Sequence, residues 1–190
     1  VMRGLYVDRI QRMLLPEPEL RDSGIQAARS LYAEGDIAPL CEFVETRYFK
    51  VLNNRDYRWA NELTVKTAFL SLLYNDALYI MDSEAAAERG YADLTMIIRP
   101  DMRQYTISDV LIEFKYVSLK EVGMSGSQAQ EISPEALRNL PLMKSQMEEA
   151  RKQVRKYGSV LTKKYGNLRL RQYAVVALGF ERLWGEEVPG

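Results

Sequence analysis

The stretch from Asp109 to Val117 reads DVLIEFKYV, an apolar and β-branched run that holds one glutamate and one lysine two positions apart. Extended backbone alternates its side chains, so Leu111, Glu113 and Lys115 share one face while Ile112, Phe114 and Tyr116 share the other. A carboxylate and an ammonium thus stand side by side where the composition asks for burial, and buried ions are costly unless paired or bound to a metal. Twenty residues before Glu113, the run ADLTMII opens with a second carboxylate, Asp93. If the two runs are strands joined through the turn at Pro100-Asp101, Asp93 lies opposite residues close to Glu113. Two carboxylates placed this way suit a hard cation, and the neighbouring lysine can act on a water at that ion. Each piece alone has a plainer reading: Glu-x-Lys as a same-face ion pair on an exposed strand, and Asp93 as a turn residue at a strand start. Their order and spacing together favour the site.

The rest of the composition narrows the chemistry. The 190 residues include no histidine and one cysteine. Ser-His-Asp and Cys-His nucleophile systems, HExxH metalloprotease sites, cysteine-rich zinc sites and internal disulfides are thereby excluded. Cys41 lies in an apolar-periodic segment and reads as a small core residue. Hydrolysis by this chain therefore needs carboxylates, lysine, tyrosine or a hard metal ion with oxygen ligands. Net charge is zero, but from Ala150 to Arg171 there is no Asp or Glu among Arg151, Lys152, Arg155, Lys156, Lys163, Lys164, Arg169 and Arg171. Such a local field suits a polyanion such as a phosphate backbone. It equally suits a solvated helix face balanced by acids elsewhere, and charge alone does not choose.

Length and patterning give the frame that must position these groups. A hydrophobic fraction of 47% and a charged fraction of 27% are ordinary for a globular domain. The longest apolar stretch, 67–81, is interrupted by Asn75 and Asp76, so no membrane span is expected, and no signal pattern opens the chain. A cytoplasmic location is the default expectation. The first fifteen residues read as the tail of a preceding domain or a linker. A helix is expected from about Glu19 to Ala33, with Leu20, Ile25, Ala28 and Leu31 inward. Gly35-Asp36 breaks it, and Asp36 caps a second helix carrying Leu40, Phe43, Val44 and Phe49 and ending near Asn53-Asn54. A third is expected from about Trp59 to Tyr74, with Leu63, Thr67, Leu70 and Leu73 inward. Strands follow at Leu78–Met81, Ala92–Arg99 and Asp109–Val117. The segment GMSGSQAQ at 123–130 reads as a mobile loop. One long helix is expected from Ser133-Pro134 to about Lys164, then a strand covered on both faces from Gln172 to Phe180, then a loose end. This order predicts an α/β or α+β domain with a central sheet between helices, formed by a meander and a helical crossover.

With these residues in place, Gly90-Tyr91-Ala92-Asp93-Leu94 followed by Ile112-Glu113-Phe114-Lys115 resembles the PD-(D/E)xK nuclease superfamily. More closely, it resembles the domain found carboxy-terminal to AAA-ATPase-like domains in bacterial proteins of unknown function. Leu14–Leu20, Asn61-Glu62-Leu63, Glu149–Val154 and Ala177–Phe180 match that domain's short motifs in order, over roughly residues 10–182. Ala92 stands where the namesake proline would be. The resemblance implies a restriction-endonuclease-like mixed sheet flanked by helices, with a core at 57–185, a helical extension at 16–56 and a tail at 1–15. It implies Mg²⁺ or Mn²⁺ held by Asp93, Glu113 and the Phe114 carbonyl, with Lys115 positioning the attacking water. Glu62 is either a further group at the metal or the i,i+4 partner of Lys66. Gln153 either approaches the site from the long helix or is an ordinary polar helix position. The implied activity is metal-dependent phosphodiester hydrolysis of nucleic acid, with DNA the expected substrate and Arg151, Lys152, Arg155, Lys156, Lys163 and Lys164 tracking its backbone. An AAA-ATPase-like domain is the implied amino-terminal neighbour. The alternative is a silent nuclease-like module that binds or regulates beside such an ATPase; a protein-docking helical front at 16–75 and a tyrosine- or lysine-based small-molecule enzyme are further alternatives.

Overall fold

Proline at the first position of a helix costs no hydrogen bond, and glycine ends one in the left-handed conformation. Both signals operate here: α1 spans Pro18–Arg29, continues as a π-helical turn Ser30–Glu34, and stops at Gly35, whose φ is +80°. The structure, a computed structural model, describes residues 7, 9–13, 15–52, 61–82, 85–87 and 90–190. The expected helix end at Asn53-Asn54 and helix start at Trp59 lie outside the described residues. Asp36 Oδ1 accepts from the Ala38 amide at 2.9 Å, and α2 (Ala38–Phe43) runs through a second π-helical turn, Val44–Tyr48, into α3 (Phe49–Leu52). Helix α4 spans Glu62–Leu73, capped by the Asn61 side chain on the Thr64 amide.

Five strands form a mixed sheet in the order β1-β4-β5-β6-β7. They are β1 (Tyr79–Asp82), β4 (Leu94–Ile98), β5 (Asp109–Val117), β6 (Leu170–Leu178) and β7 (Arg182–Glu187), and a separate hairpin pairs β2 (Ala85–Ala87) with β3 (Gly90–Ala92). Pairing is antiparallel for β1 with β4, β4 with β5, and β6 with β7; β5 and β6 run parallel. The parallel pair requires a crossover, supplied by α5 (Leu119–Val122), α6 (Gly126–Glu131), α7 (Pro134–Asn139) and the 25-residue α8 (Pro141–Tyr165). One core lies between α1–α4 and a sheet face built from Leu94, Ile112, Phe114, Tyr173 and Val175. A second lies between the opposite face, with Leu111, Ala174, Val176 and Leu178, and the inner stripe Met143, Met147, Ala150, Val154 and Leu161 of α8. Every residue of β6 from Gln172 to Leu178 is buried, as a two-sided strand must be. Removing such a Leu, Val or Phe side chain from water contributes roughly 1.5–3 kcal/mol each.

Several expectations need correction. The segment expected as a mobile loop at 123–130 largely forms α6, because Ser125 and Gln128 close a reciprocal capping box and Ala129 is buried. The single long helix is two: Leu140, with ψ at 127°, is extended because a residue before proline is pushed out of the helical region. The expected inner face of α4 is half met: Leu73 is buried and Leu70 packs against the core, but the other two positions point outward. Leu63 is 62% exposed and Thr67 is exposed, whereas Val65, Lys66, Phe69 and Leu72 face inward. Ile25 on α1 also points outward. The loose end is instead the edge strand β7, and past it the Val188 amide donates to the Gln172 carbonyl at 2.7 Å.

The amino-terminal helices share the first core with the sheet and are fastened to it by polar ties. Glu45 accepts from the Leu183 amide at 2.6 Å and pairs with Arg182 at 3.0 Å. Burial pushes its carboxyl up, a shift that the Leu183 and Arg182 contacts oppose. Tyr173 donates its hydroxyl to the Gly35 carbonyl at 3.1 Å. A Cβ at Gly35 would both demand a strained positive φ and run into the Arg171 guanidinium. Gly35→Ala is therefore expected to lower unfolding free energy by about 1–2 kcal/mol; a denaturant midpoint equal to that of the natural chain would show that this turn tolerates a side chain.

Candidate functional site

Asp93 gains its position from where a ladder stops. The last pair of β4 with β5 is Leu94 with Ile112, so the next step sets Asp93 against Glu113. The backbone does not continue the ladder there. Instead Asp93 Oδ2 accepts from the Phe114 amide at 2.9 Å, a side chain standing in for a strand neighbour. Glu113 and Lys115 occupy the face of β5 that α8 covers, and Lys115 Nζ donates to Glu113 Oε1 at 2.9 Å. Their side chains are 3% and 13% exposed, against 15% for Asp93. Such depth is unusual for charge and excludes the reading of Glu-x-Lys as an exposed pair.

The electrostatics follow from that depth. Burial first, and then the negative charge of Asp93, push Glu113 up against the opposing pull of Lys115, leaving it at about 7. Burial draws Lys115 down, but its bond to Glu113 and the fields of Glu113, Glu62 and Asp93 leave it raised overall. Glu62, in the first turn of α4, is raised by burial and by Asp93, and held back by Lys115 and Lys66. It therefore stands within the field of the site. One oxygen has a particular status: Glu113 Oε2 is buried and has no hydrogen-bond partner among the described residues. A buried acceptor left open costs free energy unless something outside the chain meets it.

Two residues belong to this cluster that the sequence reading did not assign. Lys66, buried on α4, places Nζ 3.4 Å from Asp93 Oδ1. Its signal was present, a lysine among apolar neighbours, but the helix phase that put Leu63 inside turned Lys66 outward. Tyr157 on α8 is 8% exposed, and its phenol is raised by burial first, then by Glu113, with Asp93 and Glu149 adding and Lys115 opposing. Gln153, one turn earlier, donates to Glu149 Oε1 at 2.7 Å; that bond is local to α8 and does not reach Glu113 or Lys115.

Of the basic run, Arg151 is drawn into the fold, donating to Glu186 at 2.6 Å, pairing with Glu148 and lying over the Trp184 ring. Arg169 donates to the Arg103 carbonyl at 3.0 Å and Arg171 pairs with Glu187 at 3.4 Å. Lys152, Arg155, Lys156, Lys163 and Lys164 are exposed along α8. Cys41 is buried, and burial pushes its thiol up, with Glu45 and Asp36 adding to the shift; it is a core residue. No helix among the described residues is long and apolar enough to cross a membrane.

A cation fits what is present. Asp93 and Glu113 offer hard oxygen ligands beside an open buried acceptor, and Mg²⁺ is commonly bound through one or two carboxylates with solvent completing its shell. Among the described residues no group of three or more acid or cysteine side chains is gathered closely enough to hold a metal by itself, so an ion held by Asp93 and Glu113 would need further oxygens besides theirs. Neither a curated protein nor a solved structure matches the chain. The family model of the PD-(D/E)XK nuclease superfamily does match, over residues 60–187, which takes in α4, every strand and α8. With a five-stranded mixed sheet between helical layers and an Asp–Glu–Lys cluster where two strands part, the chain belongs to the PD-(D/E)XK nuclease superfamily.

Proposed function

We propose that this chain hydrolyses phosphodiester bonds of nucleic acid, with DNA the expected substrate, and that Asp93 and Glu113 hold the Mg²⁺ or Mn²⁺ on which the reaction depends. The observation that carries this reading is the buried Glu113 Oε2, without a hydrogen-bond partner among the described residues, on a carboxylate that stands in the field of Asp93. The Phe114 carbonyl is the backbone oxygen assigned to the same ion, and Glu62 a further carboxylate at its edge. When bound, the ion stabilises charge on the phosphate and makes a neutral-pH nucleophile available. Lys115 holds Glu113 Oε1 through one of its three protons and keeps others to donate to the attacking water. Asp93 is held in place by the Phe114 amide, so its orientation is set before any ligand arrives. Gln153 and Glu149 form a polar rim on α8, and the exposed Lys152, Arg155, Lys156, Lys163 and Lys164 meet the nucleic-acid backbone. Arg151, already spent on Glu148 and Glu186, contributes to the fold instead. Residues 57–185 form the nuclease core in this reading, with 16–56 an extension and 1–15 a tail, attached to an AAA-ATPase-like domain in the cytoplasm.

The test combines binding with cleavage. Mn²⁺ at a hundred times its dissociation constant should raise stability by about 2.7 kcal/mol, and Glu113→Gln should remove that rise. Duplex DNA, single-stranded DNA and RNA are then offered with Mg²⁺ or Mn²⁺ and with chelator. Metal uptake without cleavage of any of them would assign the chain to the silent, regulatory alternative. Absence of metal uptake would remove the nuclease reading.

A further inference from the structure

The four carboxylate oxygens of Asp93 and Glu113 are unequally committed. Asp93 Oδ2 is taken by the Phe114 amide, Asp93 Oδ1 faces Lys66 Nζ, and Glu113 Oε1 is taken by Lys115 Nζ. Only Glu113 Oε2 is left open among the described residues. Lys66 reaches Asp93 from α4, on the other side of the sheet from α8, and its side chain is 9% exposed. An ammonium that deep needs its anion, so it cannot swing to solvent at little cost.

Formal charge points the same way. Among the described residues of the cluster, Glu62, Asp93 and Glu113 carry three formal negative charges and Lys66 and Lys115 two positive ones. One divalent ion leaves an excess of one positive charge, which a single phosphodiester anion neutralises. A second divalent ion would add two more to a largely desolvated cluster, where uncompensated charge is expensive. Asp93 Oδ2 accepts one amide and keeps a lone pair for the first ion, so a second ion would have to share the Oδ1 that faces Lys66.

We propose that Lys66 is a positioning residue that limits the site to one divalent ion, its ammonium standing on the Asp93 oxygen that a second ion would need. This rests on the nuclease reading to the extent that a divalent ion binds at all. The test is Mn²⁺ titration of the whole chain, followed by calorimetry and by electron paramagnetic resonance. The natural chain should take up one equivalent and show an isolated Mn²⁺ spectrum at saturation. Lys66→Met should take up a second equivalent, with spin coupling between the two ions, or bind the first at least about tenfold more tightly. Lys66→Arg, which keeps the charge, should stay at one. Two equivalents or a coupled pair in the natural chain would overturn the proposal even if Lys66→Met fails to fold. Equal stoichiometry and affinity in a folded Lys66→Met would overturn it as well. Those outcomes leave the nuclease reading standing, whereas no uptake by the natural chain takes down both.

Discussion

Asp109→Ala is expected to destabilise the chain by about 3–5 kcal/mol, the cost of breaking a buried charge pair by removing one partner. Asp109 is fully buried at the start of β5 and accepts four hydrogen bonds. Oδ1 takes the Ile98 amide at 2.8 Å and Arg103 at 2.9 Å; Oδ2 takes Arg103 at 2.7 Å and the Arg169 amide at 2.8 Å. One side chain therefore ties the end of β4, the β4–β5 turn and the approach to β6. Alanine orphans two backbone donors as well as the guanidinium. Asparagine does not repair the loss, because its amide nitrogen would face donors. For a chain of this size each kcal/mol moves Tm by about 2–4 °C, so a fall of about 6–20 °C is expected. Arg103→Leu should cost less, since Asp109 keeps both backbone donors and Arg103 is partly exposed. Calorimetry on the three variants decides the matter. A shift under about 3 °C for Asp109→Ala, roughly 1 kcal/mol, would mean that water replaces the carboxylate there.

Lys115→Ala is expected to reduce nucleic-acid cleavage by about 10²–10⁴-fold, the range usual for losing a positioned proton donor or acceptor. Mn²⁺ uptake should survive, because the variant removes a cation and keeps the oxygens of Asp93 and Glu113. This split separates Lys115 from the ligands, whose loss should abolish binding and cleavage together. Single-turnover cleavage beside calorimetric Mn²⁺ titration measures both. Cleavage at the natural rate by Lys115→Ala would remove the ammonium from the reaction. Loss of Mn²⁺ uptake along with cleavage would make Lys115 a support for Glu113 rather than a participant.

How much was legible in the sequence depended on whether period or context decided each residue. β5 was readable because alternation places Glu113 and Lys115 on one face whatever packs against it, and because an apolar run with two charges has few explanations. The β4–β5 hairpin followed from the punctuation at Pro100-Asp101. Lys66 stood out as a lysine among apolar neighbours, but its burial was not readable: residues 62–73 are so evenly apolar that the phase of α4 is set by the sheet it meets, and choosing Leu63 as inner turned the lysine outward. β7 was hidden because RLWGEE is an edge strand whose polar groups are satisfied by partners remote in sequence, Glu45 and Arg151 among them. The break at Leu140 was signalled by Pro141, yet the 3.6-residue period runs on past it and masked the interruption. The family resemblance proposes the site residues, and the structure adds which of their oxygens are already committed.

The amide of Phe114 has a use that comes from its partner being a rotatable side chain. Ladder amides are held by backbone carbonyls, whereas the hydrogen bond of this buried one also depends on the Asp93 carboxylate keeping its rotamer. Its exchange rate thus reports how firmly the carboxylate is held, with and without an ion. A single backbone resonance could follow loading and emptying of the site without a label, a substrate or a turnover.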